Sequence, residues 1–474
     1  MAGTIDRDRN FPKPVDYLYW ALLIGGCAGI LLTFLLRFWA VFSLYGLSAT
    51  SGVEGPGSFG IFQVCSGHTP YQDLSTSSNI ALYNFVFFEL YGTFARLFGN
   101  CEITTPLFGR LLSVVLSIAL AATMFCARDK KLHPLEAGAI ALGAFSPFIG
   151  WWAFALRADV GAAAFLALCL VMMLSYLRSP RLLTALAVAL FQFCSWGFKQ
   201  TYIFAAPVLL WYIFRKDPRH ALFFCVVLFL GISTPFLVYG IPYYLQTIYI
   251  FKTEPLVFAI GVANLHLFLA KAAPTLLLAA LIIVTRAVIK WDLQWDFLLI
   301  MLILLFVMAT ITSAKVGASD SYYFPPFVAA MLLAVTQLQD CPPLLHRIGM
   351  AAYATLSIGL VLFVLLGSRG TIILNGHVEE TRQIATELNR MPAPKLVWDE
   401  TAALPWFTQG VETRIFWNGE ANMLIGGSFD PHKAVADGHY ATVAIPANTQ
   451  SSFDLSRYKS IETINGLEIF ERVN

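Results

Sequence analysis

Charge is what this chain has least of. Only 13% of its 474 residues are charged, against 58% hydrophobic, whereas soluble domains carry roughly 25% charged residues. The mean hydropathy of +0.68 deepens the deficit, and together they exclude an ordinary soluble fold and predict a polytopic membrane protein. The net charge is +2, with basic residues spread among short loops, so the electrostatic footprint of a nucleic-acid binder is missing. Membrane lipid is the one partner that composition demands. The eight cysteines lack the paired CxxC or CxxxH spacing of a zinc site, and most read as apolar residues in or beside spans. Solenoid-period repeats and long low-complexity tracts are also absent. The first apolar segment follows Arg7, Arg9 and Lys13 without a small-residue cleavage site, so it reads as a signal anchor.

What is present is a series of apolar runs. The positive-inside rule organises them into about eleven spans, at roughly 17–36, 107–126, 136–155, 160–176, 182–197, 201–214, 221–240, 266–285, 297–312, 324–338 and 348–367. Counting 80–98 as a further span would place Arg128, Lys130 and Lys131 outside and invert every later basic loop. Laid flat at the outer interface, that segment restores the alternation, and its interrupting Asn84, Glu89 and Arg96 suit an amphipathic helix. The N-terminus is then inside and the C-terminus outside. The expected fold is an all-α polytopic membrane bundle with an amphipathic juxtamembrane helix in its first outer loop, 37–106. A composition change after Gly367 divides the chain into a transmembrane domain, 1–370, and a small extracytoplasmic α/β domain, 371–474. In the latter, 377–391 has helical periodicity, and 395–398, 441–445 and 467–470 read as strands.

With that orientation, the unusual polar residues collect on the outer side: Asp73, Glu89, Arg110, Arg157, Asp159, Lys199, Gln200, Lys252, Lys271, Lys315, Asp320, Tyr322 and Tyr323. Such clustering predicts an outward polar cavity for an anionic group, with Asp73 near its mouth. A carboxylate beside a bilayer is costly and is usually retained for chemistry, transport or ion binding. Cys65 and Cys101 both fall in the first outer loop, where an oxidising compartment permits a disulfide that would clamp the Asp73 segment. Simpler readings stand beside each assignment. Asp73 also suits a turn, Glu89 can face headgroups, and Arg157 with Asp159 can be a structural ion pair. Lys199 can reach for the interface, Asp320 can cap the next helix, and Tyr322 and Tyr323 suit an aromatic belt.

The order Tyr71-Gln72-Asp73, an aromatic amphipathic segment ending Leu97-Phe98-Gly99, Gly109-Arg110-Leu111-Leu112-Ser113, Arg157-Ala158-Asp159, Phe198-Lys199-Gln200-Thr201 and Ser321-Tyr322-Tyr323-Phe324-Pro325 resembles integral-membrane glycosyltransferases of the GT-C type. The pattern looks most like protein O-mannosyltransferases, lipid A aminoarabinose transferases and RgtA-like enzymes, over approximately residues 15 to 370.

That resemblance implies an inverting transfer of a hexosyl or pentosyl unit from a polyprenyl-phosphate sugar at the outer face of a bacterial inner membrane. Asp73 matches the position of the family's first-loop acidic residue and would act as base. Lys199, Arg157 and Arg110 would hold the donor phosphate, and Glu89, Asp159, Gln200, Asp320, Tyr322 and Tyr323 would line the substrate site. No cofactor is implied. The first loop lacks an Asp-x-Asp or Glu-x-Asp pair, so no metal is expected, and the His-Pro-Pro motif of protein mannosyltransferases is missing. The acceptor is accordingly a lipid, glycolipid or polysaccharide ahead of a protein. The rival reading is a transporter or flippase of a lipid-linked sugar, which would be expected to show repeated halves and broken helices at matching positions.

Overall fold

The structure, a computed structural model, describes residues 13–43, 54–73, 81–98, 101, 105–253, 255–286, 293–367, 377–398, 411–413, 430–464 and 466–473. In an apolar solvent the backbone must satisfy its own hydrogen bonds, so the apolar runs become helices. They are α1 (Lys13–Ser43), α2 (Glu54–Cys65), α3 (Phe85–Phe98), α4 (Thr105–Cys126), α5 (Pro134–Ala141), α6 (Ala158–Arg178), α7 (Leu182–Phe198) and α8 (Ala206–Lys216). There follow α9 (Pro218–Tyr244), α10 (Ile250–Thr253), α11 (Phe258–Lys271), α12 (Ala273–Arg286), α13 (Leu293–Thr312), α14 (Phe324–Gln337) and α15 (Pro343–Gly367).

Among the described residues, six helices are long and apolar enough to cross a membrane, or seven if α11 and α12 count as one bent span. Three shorter apolar helices, Pro134–Phe145, Leu182–Phe198 and Asp296–Thr312, accompany them. Several expected spans are therefore not continuous helices. The 136–155 segment stops being α-helical after Ala141, continues as a 3-10 turn over Leu142–Phe145, and reverses through Pro147 and Gly150, whose φ is +52°. Proline cannot donate to the helical ladder and glycine tolerates the left-handed turn, so the break is local chemistry. The 266–285 segment bends by 82° between α11 and α12, where Pro274 removes the N–H that would have continued the ladder. The 201–214 segment opens as a 3-10 turn, Gln200–Ala205, before α8 begins.

The bundle is built around α14, every residue of which is buried, and the α6–α7 hairpin. In the first loop, α3 is helical from Phe85 and packs on α2 through Phe87, Phe88, Tyr91, Gly92 and Ala95. A Cβ on Gly92 would lie 2.5 Å from Val64 Cβ, so glycine is what lets these helices approach. The sequence reading had no helix at 54–65, because three glycines and a proline lower its helical propensity. The C-terminal end of α9 is irregular: Pro235 and Pro242 lie inside it, Gly240 has a φ of +63°, and a π-helical turn follows at Leu245–Tyr249.

Beyond the bundle lie α16 (His377–Arg390), β1 (Lys395–Val397), β2 (Val411–Thr413), α17 (Pro431–Ala436), β3 (Thr442–Pro446), β4 (Tyr458–Ile464) and β5 (Leu467–Arg472). The sheet order is β2-β1-β3-β5-β4, with β1 parallel to β2 and β3, and β5 antiparallel to β3 and β4. Alternation along the strands sorts Leu396, Val443, Ile445 and Phe470 into one apolar cluster and Val397, Ala444 and Ile469 into another with Ile384 and Leu388 of α16.

Candidate active site

The α6–α7 hairpin brings a carboxylate and two cations together. Asp159 lies in the first turn of α6, where the helix dipole favours negative charge, and Arg157 precedes that helix. Lys199 follows the end of α7, so the antiparallel pairing places it opposite. Its Nζ donates to Asp159 Oδ1 at 2.5 Å, and Arg157 Nε lies 3.3 Å from Oδ2. All three side chains are buried. Burial pushes the Lys199 ammonium below the usual lysine range, against the opposing pull of Asp159.

Aromatic rings enclose the group. Lys199 Nζ sits 4.0 Å from the centroid of Tyr322, and Arg157 Cζ sits 4.0 Å from that of Trp152. These are cation–π contacts in a desolvated setting, where they are strongest. Arg157 Nε also donates to the Tyr83 hydroxyl at 3.0 Å, and the backbone carbonyl of Tyr83 accepts from the Tyr71 hydroxyl at 2.8 Å. A relay Tyr71–Tyr83–Arg157 thus joins the charged group to the segment that carries Asp73, which is exposed.

The irregular end of α9 grips the same loop. Gln246 Nε2 donates to the Gln72 carbonyl at 2.7 Å, while its Oε1 accepts from Ala81 N at 2.8 Å. Tyr243 donates to Asn84 at 2.8 Å and Tyr239 to Glu89 at 2.6 Å. Tyr71 packs between these tyrosines, its ring centroid 5.0 Å from each. Gln246 therefore holds both sides of the 73–80 stretch. A disulfide joins Cys65 at the end of α2 to Cys101, with their Cα atoms 5.6 Å apart.

Of the residues singled out from sequence, the structure brings together Arg157, Asp159, Lys199 and Tyr322. Arg110 is buried on α4, which packs on the Arg157 segment through a hydrogen bond from Ser113 Oγ to the Ala155 carbonyl at 2.8 Å. Four others are occupied elsewhere. Gln200 donates to the carbonyls of Leu82 and Thr247, which makes it a brace for the loop. Asp320 pairs with Lys271 at 2.6 Å and makes no side-chain cap, correcting its reading as a helix cap. Tyr323 is fully buried and stacks on Phe268 with centroids 4.5 Å apart, so it serves packing instead of an aromatic belt or a sugar. Glu89 is half-buried beneath Tyr239. No group of three His, Cys, Asp or Glu side chains able to hold a metal ion occurs among the described residues.

Sequence reasoning missed Tyr83, Trp152, Gln246 and Arg37. Arg37 directly follows the expected end of the first span and looked like a flanking residue. The structure buries it on α1 with its Cζ 5.6 Å from the Trp151 centroid. Trp151 and Trp152, consecutive in one 3-10 turn, thus each carry a guanidinium.

No family model matches the sequence, and no curated protein matches it. Solved structures do resemble the fold. The crystal structure of ArnT from Cupriavidus metallidurans bound to undecaprenyl phosphate matches with a TM-score of 0.61 and 12% identity, over 94% of this chain and 97% of that one. Its apo state matches with a TM-score of 0.61 and 13% identity, over 96% and 98%. At such identities the likeness is one of fold, and over nearly its whole length this chain has the fold of ArnT.

Proposed function

We propose that the chain is a membrane glycosyltransferase that moves a monosaccharide from a polyprenyl-phosphate donor to a lipid, glycolipid, polysaccharide or protein acceptor at the outer face of the membrane. The observation that carries this reading is the charge imbalance at Asp159. Two buried cations, Arg157 and Lys199, share one carboxylate, which leaves a positive charge in a water-poor setting. A lipid phosphate is the anion that would complete it. The fold likeness to a protein crystallised with undecaprenyl phosphate supports the same donor class.

The chemistry follows from charge development. The acceptor hydroxyl attacks the anomeric carbon, its proton passes to Asp73, and the bond from that carbon to the phosphate oxygen breaks, inverting the centre. The donor phosphodiester leaves as a phosphomonoester and gains negative charge, which preorganised Arg157 and Lys199 stabilise more strongly than they do the ground state. Arg110 supplies a further cation from α4. In this reading the long apolar helices of the bundle cross the membrane with the N-terminus inside, and the C-terminal α/β domain lies on the outer side. In a bacterial cell the site would face the periplasm.

The test is to incubate purified protein with a panel of polyprenyl-phosphate hexoses and pentoses and to follow donor consumption. One donor is expected to be consumed, and Asp73→Asn to remove most of the activity. Full activity in Asp73→Asn would overturn the assignment of the base.

A further inference from the structure

A cavity of about 500 Å³ is lined by Phe62, Gln63, Ser66, His68, Thr69 and Gln72, the last of which precedes Asp73 in the chain. Its volume falls within the range of small-molecule sites. Its chemistry differs from that of the charged group. Among the described residues no lysine, arginine or carboxylate lines it, so they supply none of the cations that hold a phosphate. Four amide and hydroxyl side chains, which both donate and accept, surround one phenyl ring and one imidazole. A neutral sugar ring presents the complementary surface, with hydroxyls that donate and accept around an apolar C–H face that can rest on Phe62.

Hydrogen bonds and a disulfide tie the walls in place. Helix α2 ends at Cys65 and is closed by Gly67, whose φ of +84° permits the paired bonds from His68 N to the Gln63 carbonyl at 2.8 Å and from Gly67 N to the Val64 carbonyl at 3.0 Å. The Cys65–Cys101 disulfide fixes the same helix end. The facing wall is turned by a bond from Tyr71 N to Thr69 Oγ1 at 3.3 Å and anchored where Gln246 holds the Gln72 carbonyl. Backbone tied in this way has less conformational entropy to lose on binding. Gln72, which lines the cavity, immediately precedes Asp73 in the chain.

We propose that this cavity binds a neutral sugar unit of the acceptor and presents its hydroxyl to Asp73. The acceptor role rests on the transferase reading above, whereas sugar binding itself is measured without donor. The experiment uses the full chain in nanodiscs free of sugar-based detergent and saturation-transfer NMR with methyl glycosides of neutral hexoses, pentoses and N-acetylhexosamines, with a methyl glucuronide for comparison.

At least one neutral glycoside is expected to give a signal, the glucuronide a weaker one, and Ser66→Trp, which fills the cavity from its exposed rim, no signal. If Ser66→Trp fails to give a monodisperse, cooperatively melting protein, Thr69→Trp fills it from the opposite wall with the same expected loss. Absence of signal from every neutral glycoside, or a signal that survives the filling substitution, overturns the proposal. Asp73→Asn is expected to keep the signal, so a failure of the donor assay and a failure of this cavity remain distinguishable.

Discussion

Lys199 Nζ lies 2.5 Å from Oδ1 of Asp159, with both side chains buried. The two residues sit 40 positions apart in sequence and meet because α6 and α7 pair as an antiparallel hairpin. The arrangement is asymmetric, since Asp159 also faces Arg157 at 3.3 Å. Removing the carboxylate strands two cations, whereas removing the lysine leaves one balanced pair.

That asymmetry sets the first prediction. Breaking a buried ion pair by deleting one partner costs about 3–5 kcal/mol because the other charge is left uncompensated. Asp159→Asn is expected to destabilise the protein by an amount in that range, and Lys199→Met by clearly less, while both lose donor turnover. Thermal unfolding followed in the same detergent checks the order. Equal losses of melting temperature would show that the Arg157–Asp159 contact does not compensate the carboxylate.

Gln246 carries the second prediction. Its two hydrogen bonds, to the Gln72 carbonyl and from Ala81 N, pin the ends of the stretch that begins with Asp73. Each such bond contributes about 1 kcal/mol, so losing both misplaces the proposed base by roughly 2 kcal/mol, which is about thirtyfold in rate. Gln246→Leu is expected to lower kcat by that order with little change in donor KM. Gln246→Glu keeps the acceptor for Ala81 N and is expected to fall between it and wild type. A kcat unchanged in Gln246→Leu would mean that the loop is held well enough without it.

How much of this was legible beforehand depends on the kind of signal. Arg157, Asp159 and Lys199 stood out because charge within an apolar run is rare, and the structure brings all three together. Tyr83 and Gln246 carried no such mark: a tyrosine and a glutamine in an apolar chain look ordinary, and their roles depend on contacts made across 74 and 174 residues respectively. Asp320 stood out for the same reason as Asp159, and Tyr323 as part of the Ser321-Tyr322-Tyr323 run, yet one pairs with Lys271 and the other packs on Phe268. Composition locates costly residues, and only the fold says which of them share a site. The helical breaks at Gly150 and Ala272 were missed because hydropathy persists across them, although Pro147 and Pro274 were the local warning.

The third prediction concerns orientation. Thr93 on α3 and Lys130 between α4 and α5 are both exposed, and the proposed topology puts them on opposite sides, with α3 flat outside. A membrane-impermeant thiol reagent applied from outside is expected to label Thr93→Cys and to leave Lys130→Cys at the background of the unsubstituted chain. Labelling of Lys130→Cys instead would mean that α3 crosses the membrane and that every later basic loop is inverted.

Arg37 yields a prediction of opposite sign. Its Nε and Nη1 are buried without a hydrogen-bond partner, and among the described residues no carboxylate pairs with it; it faces the Trp151 ring at 5.6 Å. A buried guanidinium held that way has been desolvated with little return, since cation–π attraction yields about 2 kcal/mol against a desolvation penalty of several. Methionine matches much of its length and can bury its thioether against the same ring. Arg37→Met is therefore expected to raise the melting temperature of the apo protein, by the equivalent of about 1–4 kcal/mol. Thermal unfolding of wild type and Arg37→Met under identical conditions decides the matter. A lowered melting temperature would mean that the guanidinium is compensated in solution by water or a bound anion, and would move Arg37 from a structural cost to a second anion-binding group beside Arg157.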